Sequence, residues 1–255
     1  MRFPLRLTAD LAMRRFAQKS RLGRGGCSVQ FVDAAELLHQ DSNHPVSHER
    51  MREIISGRCP VVWIGGSEPL LHPGISHLVR AITQTGHFVF LETGGTLLRR
   101  RIHEFQPVSR LFLTIRLEPD AQRRVSNSPR AGALEPATEG IRAARLSGFL
   151  ICVHARVHAE TDLGDLAELI QFARSLDVDG IVIASANDGL DAKSAALQRK
   201  TAEARKLIDS KWWEFFSRLV EPVVSGQRNA TRSAEETGVR VEQNSHANGE
   251  SVRVA

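Results

Sequence analysis

Cysteine is scarce in this chain. Three occur among 255 residues, Cys27, Cys59 and Cys152, far apart and with no CxxC or CxxxC spacing. That excludes a disulfide-rich miniprotein and leads to the expectation of reduced thiols. Long apolar stretches are missing too. No run of 18 or more apolar residues is present, so no membrane-spanning helix is expected. The N-terminus has no apolar signal-peptide core, and the expected compartment is the cytoplasm. Several motifs are absent as well: no GxGxxG or GxxxxGK[ST] phosphate loop, no GxSxG elbow and no HExxH. Nucleotide-loop, serine-hydrolase and zincin chemistries therefore have no foothold. His44 and His48 have the i, i+4 spacing of a zinc helix, but Pro45 lies between them and makes the spacing a loop coincidence.

What is there reads as a globular protein, 42% apolar and 25% charged, large enough to bury a sizeable core. The formal charge of +5 is unevenly placed. Residues 1–24 hold seven Lys or Arg against one Asp, a net +6, which leaves −1 for the other 231 residues. Nucleic-acid binding would have to rest on this arm alone and is not expected of the body. An amphipathic helix with a solvated basic face accounts for the arm, with contact to a membrane surface or RNA as alternatives. Residues 226–255 contain no aromatic residue, Leu or Ile and are expected to be a disordered tail. Three segments follow: a basic helical arm over 1–24, an α/β domain with its C-terminal helix over 25–222, and the tail over 226–255.

Between residues 60 and 185 the hydrophobic period switches repeatedly. Pro60–Ile64, His87–Leu91, Leu111–Leu117, Leu150–Val157 and Gly180–Ala184 are short apolar runs expected to be strands. Helical spacing intervenes, as in Ile75, Leu78, Val79 and Ile82, and in Leu166, Leu169, Ile170 and Ala173 behind a cap at Thr161 or Asp162. Alternating strands and helices imply parallel βα units, hence an α/β barrel or a doubly wound sheet. Trp212, Phe215, Phe216 and Leu219 are expected to form the core-facing stripe of a last helix.

Parity separates the two faces of a strand. Around residue 115 the odd positions are all apolar, whereas the even ones include Thr114, Arg116 and Glu118. Around residue 154, Cys152, His154, Arg156 and His158 lie opposite Ile151, Val153, Ala155 and Val157. Strands buried on both faces normally read as continuous apolar runs, so two polar inner faces predict a wet, functional cavity. Arg116 and Arg156 can clamp a carboxylate or phosphate, and Glu118 can take an amine or a ribose hydroxyl. A self-satisfied Arg/Glu network is the alternative. His154 and His158 are about 13 Å apart along the strand, too far to share one metal ion.

The segment Gly65-Gly66-Ser67-Glu68-Pro69-Leu70-Leu71-His72-Pro73 resembles the Gly-Gly-Glu-Pro loop of the radical S-adenosylmethionine superfamily, and Thr93-Gly94-Gly95-Thr96-Leu97-Leu98 resembles its Thr-Asn-Gly-Thr-Leu-Leu. The likeness runs in order over residues 60–185. The lead-in Phe3–Arg24, with Gln18-Lys19, resembles that of members such as the adenosylhopene synthases of hopanoid biosynthesis. The resemblance implies a partial (βα)6 TIM-like barrel holding S-adenosylmethionine. Gly66, Ser67 and Glu68 would meet its amino group, and Pro69, Thr93, Arg116, Glu118 and Arg156 would complete the binding site. It also implies 5′-deoxyadenosyl-radical chemistry at a [4Fe-4S] cluster acting on a small-molecule substrate.

The superfamily's Cys-x3-Cys-x2-Cys loop is not matched. With Cys27 as the last ligand, Ser20 and Arg24 stand in the other two positions, and Gly94 and Arg116 replace a usual Asn and Ser. The expectation is a degenerate or truncated homologue in which Cys27 alone could touch metal. Its barrel would be missing its first strand, and the N-terminal helix or a protein partner would cover the exposed edge. A noncatalytic binding protein derived from that barrel is the alternative.

Overall fold

The computed structural model describes residues 3–19, 27–38, 48–119, 134–186 and 195–225. The expected disordered tail, His44 and Pro45 lie outside the described residues. Six parallel strands form one sheet in chain order: β1 (Val29–Asp33), β2 (Val61–Gly65), β3 (Phe88–Thr93), β4 (Leu111–Leu117), β5 (Leu150–Val157) and β6 (Gly180–Ser185). The helices are α1 (Leu5–Lys19), α2 (Ala34–Leu38), α3 (His48–Ser56), α4 (Ile75–Gln84), α5 (Leu98–Arg101), α6 (Leu134–Leu146), α7 (Leu163–Ser175), α8 (Ala195–Arg205) and α9 (Lys211–Val224). With short 3₁₀ turns at Pro69–Leu71 and Ile102–Glu104, they complete an α/β partial TIM-like barrel. Among the described residues, no helix is long and apolar enough to cross a membrane.

The expected gap at the first strand is corrected by β1, which pairs with β2 over Val29↔Val61 to Asp33↔Gly65. This strand follows Cys27 rather than preceding it. Strand parity behaves as expected: Leu111, Leu113, Ile115 and Leu117 are buried on the helix-covered face. Asp162 caps α7, accepting from the N–H groups of Gly164 and Asp165.

A half-barrel has two raw edges, and α9 packs against both β6 and β1. On the β6 edge, side chains replace a missing strand. Ile183 N–H donates to Ser217 Oγ at 3.1 Å, Ser185 N–H donates to Glu221 at 3.4 Å, and Arg205 Nε donates to the Ile183 carbonyl at 3.1 Å. Inside, the Trp63, Phe90 and Phe112 rings stack in parallel, and Trp213 meets Phe90 and Phe112 edge-on. The buried stripe of α9 is thus Trp213, Phe216, Val220 and Val223. This corrects the expected stripe, since Trp212 is exposed and Phe215 and Leu219 are only half-buried. Gly180 is required here, because a Cβ would fall inside the Trp213 indole.

The thiols depart furthest from expectation. Cys27 and Cys59 form a disulfide joining the residues just ahead of β1 and β2, while Cys152 is free and buried. Their separation of 32 residues hid a pairing that the parallel register creates.

Trp213→Ala should cost about 3–5 kcal/mol in urea unfolding, as for other buried large-to-small changes. Leu146→Ala, at a side chain 91% exposed, should stay within about 0.5 kcal/mol.

Candidate functional site

Side chains on the lumen side change character from floor to mouth. At the floor the aromatic stack is dry. One layer up, β3 contributes Glu92, paired in register with Thr114 of β4, and Arg116 pairs in register with His154 of β5. The Glu92 carboxylate gathers these elements. It accepts from Trp63 Nε1 at 2.7 Å, pairs with His154 Nδ1 at 3.1 Å and accepts a long 3.4 Å contact from Arg116. Burial pushes the Glu92 pKa up, but the His154 charge and hydrogen bond, Arg116 and the indole N–H outweigh it and hold the group at about 2.

This middle layer is not the wet cavity expected from strand parity. Glu92, Thr114 and His154 are buried. Three buried polar atoms there and at the mouth have no protein partner: His154 Nε2, Thr114 Oγ1 and Ser67 Oγ. Buried polar atoms are nearly always paired, so these three are the natural points for a bound group. Since His154 Nδ1 faces Glu92, its unpartnered Nε2 points to the other side of the ring.

At the mouth, β2 ends in Gly65-Gly66. Gly66 has φ +84°, and a Cβ there would collide with the Asp33 carboxylate at the exit of β1. Only glycine fits this turn. The Gly66 carbonyl is turned toward Arg116, which donates to it at 3.4 Å. Asp33 itself accepts from Ala35 N–H at 2.8 Å. Glu68 acts as a clamp. Its carboxylate accepts from Leu70 N–H at 3.1 Å, from Thr93 Oγ1 at 2.7 Å and from Gly94 N–H at 2.8 Å, tying the loops after β2 and β3 together. Pro69 follows at the first position of a 3₁₀ turn. On the opposite rim, Glu118 pairs with His158 Nε2 at 3.0 Å and lies 3.9 Å from Arg156. The sequence-derived residues Gly66, Ser67, Glu68, Pro69, Thr93, Arg116, Glu118 and Arg156 thus belong to the C-terminal ends of neighbouring strands and the loops that follow. Sequence reasoning missed Glu92, Trp63 and Asp33. The signal for Glu92 was one carboxylate inside the apolar run Phe88–Thr93.

Comparison with known proteins bears on this geometry. No family model matches the chain. An AdoMet-dependent heme synthase from Methanosarcina barkeri is 28% identical over 154 residues, covering 59% of this chain and 42% of that protein. The chain therefore spans less than half of that relative. Among solved structures, Streptococcus suis SuiB bound to S-adenosylmethionine aligns with a TM-score of 0.50 at 13% identity, over 70% of this chain and 46% of SuiB. TYW1 with a lysine-pyruvate adduct bound aligns with a TM-score of 0.44 at 20% identity, over 69% of this chain and 56% of that one. The likeness to SuiB bears on fold alone. The chain is related to the radical S-adenosylmethionine superfamily.

A radical S-adenosylmethionine cluster requires three thiolates in the loop after the first strand. The chain's cysteines do not fit it. Cys27, expected as a ligand, is bonded to Cys59 ahead of β1 and β2, at the end of the sheet opposite the mouth. Cys152 is enclosed within β5, where burial pushes its thiol pKa well above the ordinary range. Asp33 and α2 occupy the β1 exit, with no cysteine among them.

The Glu92 pKa lies below its ordinary 4.5, so its contribution to stability is complete above pH 4.5 and lost as pH falls toward 2. Glu92→Gln should cost about 3–5 kcal/mol at pH 7, because His154 and Arg116 lose their counter-charge. It should also flatten stability against pH between 4.5 and 2 relative to wild type, as measured by denaturant unfolding across that window.

Proposed function

We propose that this chain binds S-adenosylmethionine at the barrel mouth and does so without an iron–sulfur cluster held by its own cysteines. The observation that carries the reading is the Gly66 turn: at the neighbouring exits of β1 and β2 a backbone that only glycine permits lies against the Asp33 carboxylate, and the Gly66 carbonyl keeps a second lone pair beside the one directed to Arg116. Those acceptors suit an ammonium group. Arg116 and Arg156 supply cations for the ligand's carboxylate, and Glu118 supplies an acceptor for ribose hydroxyls. Asp33, Glu68 and Glu118 stand with Arg116 and Arg156 around the mouth, so both signs of charge are available to a ligand that carries both, as a sulfonium zwitterion does. The partnerless Ser67, Thr114 and His154 atoms give a polar ligand further hydrogen bonds to complete.

In the superfamily the cluster supplies the electron that cleaves the cofactor. The residues described here bind and orient; no thiolate among them stands where that cluster would attach. The noncatalytic binding reading follows from the same observation.

Isothermal titration calorimetry of the full chain with S-adenosylmethionine should give a saturable signal, and S-adenosylhomocysteine, which has no sulfonium charge, should bind more weakly. Gly66→Ala and Arg116→Ala should each weaken binding at least about tenfold, or ~1.4 kcal/mol. Absence of heat with wild type would overturn the proposal. In a separate test, anaerobic reconstitution with iron and sulfide should leave the purified chain colourless; a brown chromophore near stoichiometry would overturn the claim that it holds no cluster.

A further inference from the structure

Helix α1 has two apolar faces. One is ordinary: Leu7 and Leu11 are fully buried against the barrel, and Phe3 just ahead of them packs on Trp212, Trp213 and Phe216. The other faces water. Leu5, Met13 and Phe16 are 86%, 71% and 72% exposed, and Ala9 and Ala12 between them are exposed as well. At 3.6 residues per turn these five positions fall on one stripe, opposite Leu7 and Leu11. Scattered single apolar residues on a surface need no explanation, but a continuous stripe does.

The segment that carries the stripe is basic. Arg6 is exposed along one side of the stripe, with Asp10, the one acid of the first 24 residues, exposed beside it. The first 24 residues together hold the net +6 while the body carries −1. At the start of the helix the stripe is extended by Trp212, a partly exposed indole stacked on Phe3 at 5.9 Å, with exposed Lys211 beside it. Leu, Met and Phe in a row, a segment of net positive charge and an indole at the margin form the pattern of a helix lying in the plane of an anionic lipid surface. A purely solvated basic helix would not expose the apolar stripe.

The placement of α1 gives the surface a direction. Arg14 donates to the carbonyls of Cys27 at 2.9 Å and Arg58 at 2.5 Å, the residues leading into β1 and β2. The helix therefore crosses the N-terminal ends of the strands, opposite the Gly66 and Arg116 mouth. We infer that the outer face of α1, with Trp212, docks this protein onto an anionic phospholipid bilayer with the barrel mouth directed toward water. The inference is independent of what the mouth binds.

Sedimentation of the full chain with phosphatidylcholine vesicles containing about one-third phosphatidylserine tests it. Wild type should pellet with these vesicles, weaken markedly from 0.05 to 0.5 M salt, and bind pure phosphatidylcholine at least about tenfold less. Trp212 emission should shift to the blue on binding, since Trp63 and Trp213 are already buried. The triple variant Leu5→Ser/Met13→Ser/Phe16→Ser alters only exposed side chains and should keep the wild-type circular dichroism while losing binding at least tenfold. Arg6→Ala alone should weaken binding and reduce its salt dependence. Equal binding of both vesicle types, no pelleting at all, or a concentration-dependent dimer that the triple variant abolishes would each overturn the inference; the last would assign the stripe to a second copy of the chain.

Discussion

Four strands meet on one carboxylate. Glu92 of β3 receives the indole N–H of β2, the guanidinium of β4 and the imidazole of β5; of these three partners Trp63 and His154 are buried and Arg116 is part-exposed. A buried charge without partners would be forced to take up a proton; here three partners keep it ionised. The cost of desolvating such a group is repaid only when the geometry is nearly complete, so each strand's register is coupled to the others. The mouth inherits its shape from that layer. Arg116 holds both Glu92 and the Gly66 carbonyl, so the orientation of the turn after β2 depends on a strand two places away.

Much of this architecture was legible from the chain alone. β4 and β5 have the limits that their apolar runs give, and the alternation Thr114, Arg116 against Ile115, Leu117 separates lumen from helix layer. Repetition made these strands readable: each apolar run sits between turn residues and a helical period. Val29–Asp33 has no such frame. It is five residues long with Gln30 and Asp33 within it, and its strand character comes from pairing with β2 rather than from its own pattern.

The candidate site was legible at its rim and hidden in its depth. Gly66, Glu68 and Arg116 stand in a loop motif and on a polar strand face. Glu92 was masked because one acid in a run of hydrophobic residues resembles the end of a strand. Its role depends on Trp63 and His154, respectively 29 and 62 residues away in the chain. The α9 stripe failed for a different reason. Its apolar residues cover so wide an arc that two neighbouring sets satisfy the same helical spacing, and only the Gly180 notch selects Trp213 over Trp212. Cysteine proximity has no local signal at all.

The Cys27–Cys59 bond encloses β1, α2, α3 and the residues between them in a covalent ring. A single backbone cut anywhere between Ser28 and Arg58 therefore yields two polypeptides that still travel as one molecule until a reductant is added. The strand nearest the Gly66 turn is thereby tethered at its root, and nicking of its connecting segment cannot by itself carry Asp33 away from the mouth.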